Sequence, residues 1–278
     1  MTDSPSRNWL LWRGLAVVGV LLLLAVMMRR TVEDPLKRDV ERRGGDFVTM
    51  HGNPYITRYL AEFMTGRSSS MYVIRFLDGG VDDAWLQEHA DELGKLAPLI
   101  LTVRNAEITD GGLQQIPFNN VVMLDLQGTQ ISDASLPQIL GVMSVSIAYT
   151  RITAEGLAAQ DLSQLRDLRI DRTQWSDQLP ISNFGSLTIF DADDELVTEL
   201  AALNRVPPFL RLQGRKVTQA SLATLKKLPG AYSVALVDVD LTPEQIRELQ
   251  ATGVEFRIIS GEDWEKQERA TVDQLWVW

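Results

Sequence analysis

The chain has 278 residues, 45% of them hydrophobic, with a formal charge of −10 and a pI near 4.8. That balance suits one sizeable domain or a small array and argues against a nucleic-acid face, which would show as a basic surface. With no cysteine, and with His51 and His89 as its only histidines, the chain cannot form disulfides, thiolate nucleophiles or Cys-based metal sites, and has little material for a histidine triad or a His-rich metal site.

Residues 1–8 form a polar N-terminal tail, followed at 9–28 by WLLWRGLAVVGVLLLLAVMM, interrupted only by Arg13. At about 1.5 Å per residue this run nearly spans a bilayer core of about 30 Å. Trp9 and Trp12 sit at one end, at headgroup level, and Arg13 is near enough to that end to snorkel. No small-x-small cleavage site follows, so the run reads as an uncleaved single-pass transmembrane anchor rather than a signal peptide. Lys and Arg are denser downstream, but interleaved acids dilute the bias, and the side on which the rest of the chain lies stays open. Residues 29–45 read as a charged juxtamembrane linker. Residues 46–70 read as an amphipathic N-terminal cap, with Tyr55, Ile56, Tyr59, Leu60 and Phe63 at helical intervals.

From 71 to 260 a single frame recurs about nine times. Its clearest copy is Val121 to Leu136, VVMLDLQGTQISDASL, which fits L-x-x-L-x-L-x-x-(N/C)-x-L with Thr129 at the Asn/Cys position. The central pairs are Ile74/Phe76, Leu101/Val103, Leu124/Leu126, Val145/Ile147, Leu168/Ile170, Leu187/Ile189, Leu210/Leu212, Val234/Leu236 and Phe256/Ile258, separated by 19 to 27 residues. Alternation within each pair fits a strand buried on one face. Seven residues after the start of most pairs comes another apolar position: Val81, Ile108, Ile131, Ile152, Trp175, Val217 and Leu241. Next stands a helix-start signal, at Thr109, Ser132, Thr153, Ser176, Thr218 and Thr242, the last forming a capping-box pattern with Gln245. Leu113, Leu136, Leu157, Leu222 and Ile246 supply the apolar contact of a return helix.

This pattern resembles the leucine-rich repeat family, in a variant with Thr129, Thr150 and Thr173 where many members carry Asn or Cys. The resemblance covers about Met71 to Ile259. It implies an α/β solenoid with a curved parallel sheet inside and short helices on the convex side, and stacking physics requires the same, since one unit cannot bury its own apolar face.

Residues alternating with the buried pairs should line the concave surface. Arg75, Arg104, Asp125, Gln127, Arg169, Asp171, Phe190, Arg211 and Arg257, with Tyr149 beside them, are the candidate docking residues for a protein partner. DADDE, Asp191 to Glu195, lacks the glycine and distal glutamate of a calcium loop and reads as a solvated loop. His51 and His89 lack partner motifs and read as surface or capping residues. Gly79-Gly80 and Gly111-Gly112 read as turn glycines. The tail, 261–278, ends on the apolar LWVW, suited to covering the last repeat or to contacting a partner or a membrane surface. No catalytic, cofactor or metal constellation emerges, and no small-molecule substrate or nucleic-acid partner is expected. The expectation is a membrane-anchored, non-catalytic protein-interaction or scaffolding module, the alternative being a sensor or regulatory subunit of a membrane enzyme complex.

Overall fold

The computed structural model describes residues 35–51 and 70–269. The expected transmembrane segment at 9–28 lies outside them, as do most of the expected cap and the LWVW ending. No helix among the described residues is long and apolar enough to cross a membrane.

One ten-stranded sheet organises the chain, its strands lying in sequence order. Strand β1 (Asp46–His51) pairs antiparallel with β2 (Ser70–Phe76), and every later pairing is parallel. The remaining strands are β3 (Leu99–Val103), β4 (Val121–Asp125), β5 (Ser144–Ser146), β6 (Asp167–Asp171), β7 (Ser186–Phe190), β8 (Phe209–Gln213), β9 (Ser233–Val237) and β10 (Glu255–Ile259). Parallel neighbours need a crossover, and short helices supply most of them. These are α2 (Asp83–Leu93), α3 (Asp110–Leu113), α4 (Leu136–Ile139), α5 (Ala154–Ala158), α6 (Asp194–Ala202), α7 (Leu222–Leu225) and α8 (Pro243–Gln250). Between β6 and β7 only 3₁₀ turns make the crossing.

The register matches the sequence frame residue for residue. Ile74 faces Leu101, which faces Leu124, then Val145, Leu168, Leu187, Leu210, Val234 and Phe256 in turn. A one-residue slip would turn an entire strand's apolar set away from the core, so this ladder fixes which face is inside. Leu101, Val145, Leu168 and Leu187 are fully buried, in one continuous cluster with Ile108, Ile131 and Val217 from the downstream apolar position. Thr109, Thr153, Thr218 and Thr242 cap helices as their spacing predicts, and Thr242 with Gln245 closes the capping box. Ser176 accepts from Gln178 N but starts no helix.

Three segments depart from the sequence reading. Residues 35–42, expected to belong to a solvated linker, are helical (α1) and bury Leu36 and Val40 in the main core. The Pro35-Leu36 and Asp39-Val40 spacing, hidden among charges, puts the two apolar side chains on one helix face. DADDE is no solvated loop: Ala192 is fully buried, Asp193 caps α6 by accepting from Leu196 N at 2.8 Å, and Asp194 enters the helix. Residues 261–269 form a further helix, α9 (Gly261–Arg269), rather than a tail.

The path of α9 fixes the curvature of the sheet. Trp264 stacks on Arg211, whose guanidinium carbon lies 4.1 Å from the ring centre, and Arg269 donates to Asp78, just beyond β2, at 3.0 and 3.1 Å. Nine parallel strands laid flat would span about 38 Å, whereas nine helical residues cover about 13 Å. The sheet must therefore curve. Arg211 alternates with the buried Leu210 and Leu212, so α9 crosses the inner face.

Candidate functional site

The turn after each strand sets the inner rim. Four residues past the first hub residue, the backbone enters the left-handed region at Asn105, Gly128, Tyr149, Asp191 and Asp238. Asn, Asp and Gly tolerate that conformation; a bulky residue does not, and strain of this kind costs about 1–3 kcal/mol. Gly128 is required twice over, since a Cβ there would also lie 2.4 Å from Asn105 Oδ1. Tyr149, at φ 60°, carries the strain. Its backbone N–H donates to Asp171 at 2.6 Å, and its ring packs against Phe190 at 5.8 Å while the residue stays 45% exposed. Partial burial, followed by the negative charges of Asp191 and Asp171 and a hydrogen bond to Asp191, holds the Tyr149 hydroxyl well above the usual phenol range. It is a neutral hydrogen-bonding aromatic, poorly suited to act as a base.

The row of arginines is engaged within the chain. Arg75 is buried and donates to Asp46 at 2.7 Å. Both Nε and Nη2 of Arg104 reach Asp125 Oδ2, at 2.8 and 2.6 Å, and Asp125 also accepts from Gln127 N. Arg211 carries Trp264, and Arg257 pairs with Glu255 at 2.8 Å. Arg169 is half-buried beside Asp167. Burial holds the Asp167 carboxyl above its ordinary value, against the opposing charge of Arg169. Asp171 is buried, accepting from Tyr149 N and from Thr173 N at 2.8 Å. Of the ten residues predicted for docking, Tyr149, Asp171 and Phe190 converge on one spot where only Tyr149 is exposed, and Arg75 and Arg211 are likewise too buried to form an open surface.

Each threonine at the Asn/Cys position serves its own turn. Thr129 and Thr150 donate to the carbonyls of Leu126 and Ile147 at 2.7 Å, and Thr173 donates to Asp171. The link between turns comes instead from fully buried Gln174, whose amide reaches the Ile147 and Ile152 carbonyls and Thr150 Oγ1.

A different ladder joins the repeats on the convex side. Asp83 accepts from Thr109 N and Oγ1 at 2.8 and 2.5 Å, and Asp133 accepts from Thr153 N and Oγ1 at 2.8 and 2.7 Å. Asp110 does the same for Ser132, at 2.8 and 2.6 Å, and also accepts from Ser135. Asp194 does so for Thr218, at 2.8 and 2.7 Å, and also accepts from Ser221. Each carboxylate thus holds the cap of the next helix. The residue three past that cap is Gly112, Ser135, Gly156 or Ser221. A Cβ at Gly112 would lie 2.0 Å from Asp83 Oδ1, and one at Gly156 would lie 2.3 Å from Asp133 Oδ1. Gly112 is therefore a spacer inside a helix, not a turn residue. Burial opposes ionisation of Asp110 and Asp194, but the hydrogen bonds from their Ser and Thr partners outweigh it and hold both below the ordinary carboxylate value. These stitches are structural, because every acceptor is committed within the fold.

His51 lies in β1, opposite Ser70 in the register. His89 is buried rather than on the surface: it packs on Trp85, contacts Glu92 at 2.5 Å and Asp39 at 3.4 Å, and is covered by α1. Asp39 is held below its usual value chiefly by the Trp85 indole N–H, at 2.9 Å. Among the described residues no group of three His, Asp or Glu could hold a metal ion.

Two further surface features stand out. Where the helix between β6 and β7 is missing, an open cleft of about 500 Å³ is lined by Arg172, Trp175 and Glu199 among others. Arg172 is matched there by Asp193, Glu195 and Glu199 and offers no spare charge. At the opposite rim, Phe209 and Tyr232 are 44% and 65% exposed and pack edge to face at 5.9 Å. Between Glu199 and Asp238 the sequence has six cations and no acid, although the chain as a whole is acidic. No protein-family model matches the chain, and no curated protein matches it.

Proposed function

We propose that the chain is a membrane-anchored leucine-rich-repeat protein that binds another protein along the rim of its inner sheet and performs no catalysis of its own. The anchor is residues 9–28, whose apolar length and flanking tryptophans suit a single pass. The periodic L-x-L hubs and their ladder-like register support the repeat reading. The observation that carries the binding role is Tyr149, a half-exposed aromatic held in a strained left-handed conformation against Phe190. Such strain is retained where the side chain's placement matters more than the backbone's comfort. Rigid aromatics of this kind anchor interfaces.

A photo-crosslinking amino acid at position 149 of the full-length protein tests this in native membranes. The expected result is one discrete heteromeric adduct, absent when the probe is placed at exposed Lys227 on the helical side. Equal labelling from both positions, or none from 149, would refute the rim as the docking site. Extraction of the full chain by alkaline carbonate would separately refute the anchor.

A further inference from the structure

The two edges of the sheet differ in charge. The chain enters every parallel strand at one edge and leaves it at the other. Loops leading from a helix into the next strand carry Lys95, Arg166, Arg205, Lys226 and Lys227 against one acid, Asp161. The opposite edge holds Asp78, Glu107, Asp191, Asp238 and Asp240 among its charges. Lys226 pairs with Glu248, whereas Lys95, Arg166, Arg205 and Lys227 are exposed and make no ion pair among the described residues.

The basic edge also presents two aromatic rings. Phe209 opens β8 and Tyr232 stands just before β9, and they are two of the three large apolar side chains exposed among the described residues. Their loops are fastened together: Val206 N donates to Pro229 O at 2.8 Å, and Tyr232 N donates to Pro208 O at 2.9 Å. Arg205 lies across the same joint, since a Cβ on Gly230 would meet its Cγ at 3.0 Å. Rings and cation are thus held in place while remaining open to solvent, an arrangement that folding alone does not call for. Amphipathic rings favour the headgroup layer of a bilayer, and nearby cations favour anionic lipids.

The chain reaches the array at this same edge. The far end of α1 lies ahead of α2, where Arg43 donates to Gly80 O at 3.5 Å. One turn back, Asp39 accepts from Trp85 Nε1 and meets His89, farther along α2. Helix α1 therefore runs antiparallel to α2, and its start, Pro35, points to the end of α2 that leads into β3. With residues 9–28 as an anchor, the seven steps from Met28 to Pro35 reach at most about 25 Å, which keeps this edge close to the bilayer.

We propose that the edge where chain enters the strands rests on an anionic lipid surface, with Phe209 and Tyr232 in the headgroup layer and Arg205 and Lys227 on lipid phosphates. Lipid rather than an acidic protein is the occupant because the tether holds this edge, and not the Tyr149 edge, next to the membrane. That choice rests on the anchor reading; the patch itself does not. The Tyr149 rim is then turned away from the bilayer and left open to a protein partner.

The chain has no native cysteine, so Asn204→Cys in the full-length protein accepts a single environment-sensitive fluorophore beside Arg205. In nanodiscs of phosphatidylglycerol with brominated acyl chains this fluorophore should be quenched, and less so in phosphatidylcholine. The same fluorophore at Gln219→Cys, on the opposite edge, should not be quenched. Arg205→Gln/Lys227→Gln should lower the ratio of docked to undocked molecules roughly 25-fold, at about fivefold for each cation removed from an anionic surface. Phe209→Ser/Tyr232→Ser should abolish quenching with the cations intact. Quenching that is absent at 204, equal at both positions or unchanged in the Gln pair overturns the proposal. Shielding at 204 that appears only when poly-glutamate is added assigns the edge to protein and overturns it as well. A chain that resists carbonate without quenching keeps the anchor and loses the docking, and quenching of a carbonate-extractable chain does the reverse. Retention of the far-ultraviolet circular dichroism spectrum shows that each variant is folded.

Discussion

Replacing Gly156 by Ala tests the stitch between repeats, because two opposed effects meet at this position. Gly156 lies inside α5 with no unusual backbone angle, so the substitution should stabilise the helix by about 0.5–1 kcal/mol through lost unfolded-state freedom. The new Cβ, however, would sit 2.3 to 2.5 Å from the three carboxylate atoms of Asp133 and force that group away. Displacement breaks the bonds from Thr153 N and Oγ1, at 2.8 and 2.7 Å. Hydrogen bonds to a charged group contribute about 1.5–3 kcal/mol net when buried; this pair is partly exposed, so about 2 kcal/mol for the two together is reasonable. Gly156→Ala should then destabilise by about 1–1.5 kcal/mol. In an Asp133→Ala background the clash is gone, and the same change should stabilise by about 0.5–1 kcal/mol. Urea unfolding of the four proteins closes the cycle, with an expected coupling of about 2 kcal/mol. A stabilising Gly156→Ala in the otherwise unaltered chain would refute the reasoning outright.

Three other outcomes follow from the same geometry. Asp194 has a folded-state pKa below its unfolded value of about 3.9, so its contribution is present above that value and is lost as pH falls through the folded one. Asp194→Asn should lower the thermal midpoint at neutral pH and leave a shallower loss between about pH 5 and pH 2 than the parent shows; parallel curves would count against it. Asp167 has the opposite sign, since burial raises its pKa and its ionised form disfavours folding at neutral pH. Asp167→Asn should raise the midpoint at pH 7 and change little below about pH 3.9, and the reverse order would contradict the assignment. Leu124→Ala, at a hub flanked in register by Leu101 and Val145, should cost about 2–5 kcal/mol in urea unfolding, and a cost under about 1 kcal/mol would mean the hub is not packed as described.

The hubs were legible because strand alternation and stacking impose the same period, so each copy of the frame reinforces the others. Ile74 through Phe256 form one ladder for that reason. The caps were legible too, since Thr109 or Thr242 acts on amides two or three residues away. The stitches were not, although their signal is periodic: an Asp after one cap goes with a Gly or Ser three residues past the next cap. Asp133 and Gly156 are 23 positions apart, and nothing local says that they meet. The left-handed row was missed at Tyr149 because its residue type argues against the conformation. The inner wall was read through the positions between and after the hubs, which left out the position before them. Val73, Ile100 and Met123 occupy it, in an apolar cluster separate from the main core. The charges around Leu36 and Val40 hid the packed face of α1, and the polarity of Arg269 and Glu262 gave no hint that α9 folds back over the sheet.

The contact between Arg269 and Asp78 bears on how the array comes apart. In a linear stack of repeats each end frays on its own, and protection from hydrogen exchange falls toward both termini. Here the helix after the last strand is tied to the turn after the first parallel one, so fraying at either end must first open a joint that belongs to both.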